Sequence, residues 1–64
     1  MSNAAHHLPP LDERQRYSIE ESTYYLRQSR ARLYERIAAG ELKIIKDGRR
    51  TYVPGSEIAR LSRA

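Results

Sequence analysis

The chain of 64 residues has no cysteine, no tryptophan and no phenylalanine, and only three glycines and three prolines. Without cysteine there is no disulfide framework, no thiol chemistry and no cysteine-ligated zinc to support a small core. No apolar run approaches the roughly 20 residues of a membrane-spanning helix, and the first residues lack the apolar segment of a secretory signal. The expected setting is the cytoplasm, with no membrane partner. This length makes one small domain, with little stability in reserve and no room for a large enzyme pocket. Outside the first 16 residues there is no carboxylate pair, nucleophile with histidine or metal cluster, so neither catalysis nor a metal or other cofactor is expected.

Positive charge is abundant, and it is unevenly placed. Twelve Lys and Arg against eight Asp and Glu give a net +4. Residues 27–50 alone reach +5, with Arg27, Arg30, Arg32, Arg36, Lys43, Lys46, Arg49 and Arg50 against Glu35, Glu41 and Asp47. Such a concentration suits a polyanion.

The centre of that segment, Ser29-Arg30-Ala31-Arg32-Leu33-Tyr34-Glu35-Arg36-Ile37-Ala38-Ala39-Gly40, reads as one helix. Ser29 can cap its first turn, and Gly40 supplies the left-handed residue that stops it. At 100° per residue, Leu33, Tyr34 and Ile37 share a side expected to face the core. Arg32, Glu35, Arg36 and Ala39 fall on the other, free for a partner. Arg30 and Arg32 in the first turn oppose the helix macrodipole, and Arg32 and Arg36 repel each other by roughly 0.2–0.5 kcal/mol. Local rules broken in this way point to a functional surface, where a bound polyanion offsets the cost.

The flanking segments build a frame around this helix. Residues 1–16 show neither a helical nor a strand period and are expected to form a flexible tail. Within it, Ser2-Asn3-Ala4 reads as the remnant of an expression tag, and the His6-His7 pair is too isolated to hold a metal. Ser18-Ile19-Glu20-Glu21 has capping-box spacing, so a first helix starts there with Ile19, Ser22, Thr23 and Leu26 on one face. Only Arg27 and Gln28 separate it from Ser29, which demands a tight turn and a steep crossing, the pattern of a helix-turn-helix.

Past Gly40 the period becomes that of strands. Leu42, Ile44 and Val53 are expected inward in a hairpin that turns at Asp47-Gly48, with Lys46 opposite Arg49, Ile45 opposite Arg50 and Ile44 opposite Thr51. The tip, with Lys46, Arg49 and Arg50, is then basic, which weakens a hairpin unless phosphate is near. Pro54-Gly55-Ser56 ends the strand, and residues 56–61 are expected to form a closing helix with Ile58 and Leu61 inward.

Tyr17-Ser18-Ile19-Glu20-Glu21, Leu26, Ser29-Arg30, Leu33-Tyr34, Gly40-Glu41-Leu42, Gly48-Arg49-Arg50 and Val53-Pro54 before Ile58 together resemble the excisionase-type winged helix-turn-helix domain, a branch related to the mercury-resistance regulator superfamily. The likeness spans residues 17–62. It implies a small mainly-α fold with a β-hairpin wing over residues 17–64, the second helix in the major groove of DNA and the wing along the neighbouring backbone or minor groove. On that basis Ser29, Arg30, Arg32 and Arg36 contact DNA through the helix, and Arg49 and Arg50 through the wing, with Lys46 beside them. Arg27 stands where the family usually has glycine, and Thr23 where it usually has alanine; a non-glycine residue with positive φ costs about 1 kcal/mol or more.

The expected function is therefore sequence-specific binding of double-stranded DNA. An excisionase-like architectural factor would bend recombination-site DNA and direct an integrase. The alternatives are a small transcriptional regulator and, from another class, an adaptor whose arginines bind an acidic protein. The protein is expected to be monomeric in solution, cooperative on DNA through direct repeats, and associated with the nucleoid when bound.

Overall fold

The computed structural model describes residues 8–63; the tag-like Ser2-Asn3-Ala4 and the His6-His7 pair lie outside the described residues. Along the chain run β1 (Arg16–Ser18), α1 (Ile19–Leu26), α2 (Arg30–Ala38), β2 (Ile45–Asp47), β3 (Arg50–Pro54) and α3 (Gly55–Arg63). The strands form one antiparallel sheet in the order β1-β3-β2. Three helices with a three-stranded sheet make this an α/β arrangement, with more sheet than the expected mainly-α fold with a lone hairpin.

Local chemistry sets the first helix. Ser18 Oγ accepts from the Glu21 N–H at 3.0 Å while the Glu21 carboxylate accepts from the Ser18 N–H at 2.9 Å, the reciprocal pair of a capping box. Ser22 is buried with its hydroxyl donated to the Ser18 carbonyl at 2.8 Å, so its small side chain packs without an unmet polar group. At the other end Arg27 takes φ 56 and ψ 42, and the Gln28 N–H returns to the Thr23 carbonyl at 3.2 Å. Arginine thus adopts the left-handed backbone that glycine takes more cheaply, at about 1–2 kcal/mol. Because glycine also loses more chain entropy on folding, Arg27→Gly is expected to stabilise by a net of about 0.5–1 kcal/mol. By calorimetry that is a rise of several degrees in Tm; a fall would show that the arginine side chain contributes more than its backbone costs.

Both ends of α2 also follow from sequence. Ser29 Oγ accepts from the Arg32 N–H at 3.1 Å. Gly40 has φ +77, with Glu41 N–H bonded to the Arg36 carbonyl at 2.8 Å and Gly40 N–H to the Ile37 carbonyl at 3.0 Å, a Schellman stop. Leu33 is fully buried and Ile37 packs beside the core, but Tyr34, expected inward with them, is 45% exposed. The reason is angular: one residue beyond Leu33 is 100° round the helix, past the edge of a narrow apolar stripe.

The hairpin is shifted from its expected pairing. Asp47 stands opposite Arg50, Lys46 opposite Thr51 and Ile45 opposite Tyr52, so the turn is Gly48-Arg49 instead of Asp47-Gly48. Of the two turn residues Gly48 alone has positive φ (+61), as suits a turn needing glycine at its first central position. This register sets Asp47 against Arg50, where the expected one set Lys46 against Arg49, and opposite charges across a strand pair are favourable.

The end of the segment expected to be a tail is built into the fold, and its last residue, Arg16, opens β1, which continues through Tyr17 and Ser18. Tyr17 pairs with Val53 on the inner face, Leu11 packs against the core, and the Asp12 N–H donates to the Tyr17 hydroxyl at 2.9 Å. Tyr25 reaches back to donate to the Pro9 carbonyl at 2.7 Å, its ring 5.2 Å from that of Tyr17. The Gly55 N–H donates to the Gln15 carbonyl at 2.8 Å, and a methyl group at Gly55 would collide with the Asp12 carbonyl. Glycine at the start of α3 therefore leaves room for this strap. Ile19, Leu33, Leu42, Val53 and Ile58 form the buried centre, with Ile44 and Leu61 partly buried around it.

Candidate functional site

Where the start of α2 approaches the β2–β3 hairpin, a shallow groove of about 360 Å³ is lined by Ser18, Ile19, Glu20, Arg30, Tyr34, Arg49, Arg50, Thr51 and Tyr52. Three of the arginines expected to act, Arg30, Arg49 and Arg50, meet here. Arg30 lies with its guanidinium carbon 5.7 Å from the Tyr34 ring centroid, a stacking that orients it without using its N–H donors. Among the described residues, none of the three lies within 4.0 Å of a carboxylate. The first turn of α2 holds no acidic residue, so its N–H groups and positive pole add to the same field. Glu20 is the one carboxylate on the groove wall, in the first turn of α1 where that helix's own dipole favours it.

The other expected residues lie elsewhere or serve structure. Ser29 caps α2. Arg32 is exposed and pairs with Glu35 at 3.2 Å, a surface contact that contributes little. Lys46 Nζ donates to Thr51 Oγ1 at 3.4 Å on the inner face of the hairpin. Arg36 sits about 120° round the helix from Arg30. Its Nε donates to Gln28 Oε1 at 2.9 Å and its Nη1 to Glu41 at 3.2 Å, which ties the inter-helix turn to the loop after α2. It lines a second cavity of about 550 Å³ with Glu41, Lys43, Glu57 and Arg60.

In that cavity Glu57 fixes the loop that carries the hairpin. Arg60 donates to both its oxygens at 2.8 and 3.3 Å, and the Lys43 N–H to one of them at 3.0 Å. Arg60 also donates to the Glu41 carbonyl at 2.7 Å. The hydrogen bond from Arg60, then that from the Lys43 backbone, hold the Glu57 carboxyl below its ordinary range. A carboxyl lowered in the folded state contributes stability above its unfolded pKa of about 4.3, and that stability is lost as pH falls through the folded value. The loss of Tm on acidification below about pH 4.5 should therefore be shallower in Glu57→Gln than in the unmodified protein. Parallel melting curves against pH would contradict this role.

Tyr34, Tyr52 and Thr51 belong to the groove although the sequence pattern did not mark them. Tyr52 was legible in principle, since alternation along β3 puts Arg50 and Tyr52 on the face opposite Val53. Among the described residues no cluster of three or more His, Cys, Asp or Glu is placed to hold a metal, and no helix is long and apolar enough to cross a membrane. No family model matches the chain, and no curated protein or solved structure matches it significantly.

Proposed function

We propose that the protein is a winged helix-turn-helix that binds double-stranded DNA, with α2 directed to the major groove and the β2–β3 hairpin as the wing. The observation that carries this reading is the convergence of Arg30, Arg49 and Arg50, free of carboxylate partners, beside the amino end of α2. Cations that share a groove and have no carboxylate within ion-pair distance raise the energy of the free protein, and a phosphate backbone lowers it while releasing condensed ions from the duplex. Arg32, exposed and weakly paired on α2, is then the residue best placed to read a base edge, and Arg49 and Arg50 grip the backbone. An adaptor for an acidic protein would use the same charges, but arginines drawn from both a helix and a hairpin suit a backbone of regularly spaced phosphates.

Within this reading the likeness of residues 17–62 to excisionase-type domains supports an architectural role in site-specific recombination, with an integrase as the partner. Large exposed apolar side chains among the described residues are only Tyr24, Tyr34 and Ile45, which supports a monomer in solution. Amide chemical-shift mapping with a short duplex tests the surface. Shifts are expected to cluster at residues 27–34 and 48–52. Shifts confined to the Glu57 and Arg60 cavity, or none at all, would refute it.

A further inference from the structure

The outer face of the sheet carries Arg16, Asp47, Arg50 and Tyr52, which alternate with the inward Tyr17, Thr51 and Val53. Arg16 crosses this face diagonally. Its guanidinium carbon lies 4.6 Å from the Tyr52 ring centroid, and its Nη2 reaches Asp47 Oδ2 at 3.4 Å. Tyr52 also lines the groove that gathers Arg30, Arg49 and Arg50. A fourth guanidinium is thus stacked on a ring that borders the groove, and the carboxylate occupying it comes from the hairpin itself. Both side chains of the pair are about half exposed, at 49% and 60%. An ion pair so open to water is weak, and a phosphate can take the place of its carboxylate.

Resting on the DNA-binding reading above, we infer that Arg16 is a further phosphate-binding residue and that Asp47 attenuates the interface by competing with the DNA backbone for it. The stack on Tyr52 keeps the guanidinium beside the groove while it changes partner, since stacking leaves its N–H donors free. Two phosphate-binding arginines on the hairpin and one on α2 then become four, and the sheet contributes a contact from its first strand. Asp47 has a local reason to stay, because it faces Arg50 at the end of the hairpin. The same carboxylate therefore sets the register and moderates affinity.

A double-mutant cycle on the full chain tests this, with Asp47→Asn, Arg16→Gln and both together, each titrated into a labelled duplex at several salt concentrations. Asparagine is well accepted before a turn glycine, and thermal melts check that each variant is folded. Asp47→Asn is expected to tighten binding by roughly twofold to fivefold, the range of an exposed ion pair, and the gain is expected to vanish when residue 16 is glutamine. An equal gain in both backgrounds would show that Asp47 acts only as a general negative charge, and no gain in either would show that it does not compete; each overturns the inference. If the unmodified protein gave no salt-dependent binding, the DNA-binding reading would fail first and take this inference with it.

Discussion

Replacing Arg30, Arg49 and Arg50 together by alanine is expected to weaken binding to duplex DNA by roughly 100-fold or more. The three side chains converge on one groove and none is satisfied within the protein. If each contact with phosphate contributes about 1–1.5 kcal/mol, no more than the bottom of the range for hydrogen bonds to charged groups, the three together reach about 3–4.5 kcal/mol. The dependence of log K on log salt should flatten by about 2.7, at roughly 0.9 per phosphate no longer neutralised. All sequences should be affected alike, because backbone contacts carry no base information. Arg32→Ala is expected to behave differently, with a loss of about 1–3 kcal/mol confined to one base position. The triple variant loses the repulsion among the three cations but also the Arg50 side chain that faces Asp47 across the hairpin, so thermal melts accompany the titrations to confirm that it is folded. A triple variant that bound as tightly as the original would show that the groove is not the contact surface.

Leu33→Ala is expected to unfold the isolated domain. Leu33 is the side chain through which α2 is anchored, at 0% exposure among Ile19, Leu42, Val53 and Ile58. Truncating such a leucine costs about 2–5 kcal/mol, and a core of this size rarely supplies more than about 3–5 kcal/mol in total. Far-UV circular dichroism should show the helical signal of the variant lost or greatly reduced at 25 °C. Leu33→Met, which conserves volume, should cost less than about 1.5 kcal/mol and remain folded. On the proposed DNA-binding reading, a duplex that binds only the folded state should, at about 100 times the Kd, return about 2.7 kcal/mol and restore much of the signal. A variant that melted like the original would mean that α2 is held by something other than this contact.

Features set by neighbours in sequence were legible. The Ser18 and Glu21 capping box, the Ser29 cap and the Gly40 stop all rest on bonds between residues within five positions of one another, and they stand as the residue types imply. What depended on distant partners was not. β1 is only three residues long, too short for a period, and it is a strand because β3, some 35 residues away, offers it a ladder. Its approach also needs the bare backbone of Gly55, a glycine that in sequence looked like a strand breaker. The hairpin pairing was decidable from charge, since Lys46 facing Arg49 was already unfavourable and Asp47 facing Arg50 was the better choice. As for the groove, the net charge of residues 27–50 located the basic surface but could not separate its members. Arg36 and Arg30 look equivalent in sequence; only Gln28 and Glu41, brought round Arg36 by the turn and the Gly40 stop, show that it holds the fold together while Arg30 stays free.

The most direct test of the central claim is the affinity of the unmodified protein for a short duplex, measured by fluorescence anisotropy between about 50 and 200 mM salt. Four to five phosphate contacts, from the groove arginines with Arg16 and the amino end of α2, predict a slope of log K against log salt of roughly −3.6 to −4.5. Excess random-sequence duplex should compete for the electrostatic part of that binding. A flat salt response, or no binding to duplex at 50 mM salt, would contradict the account.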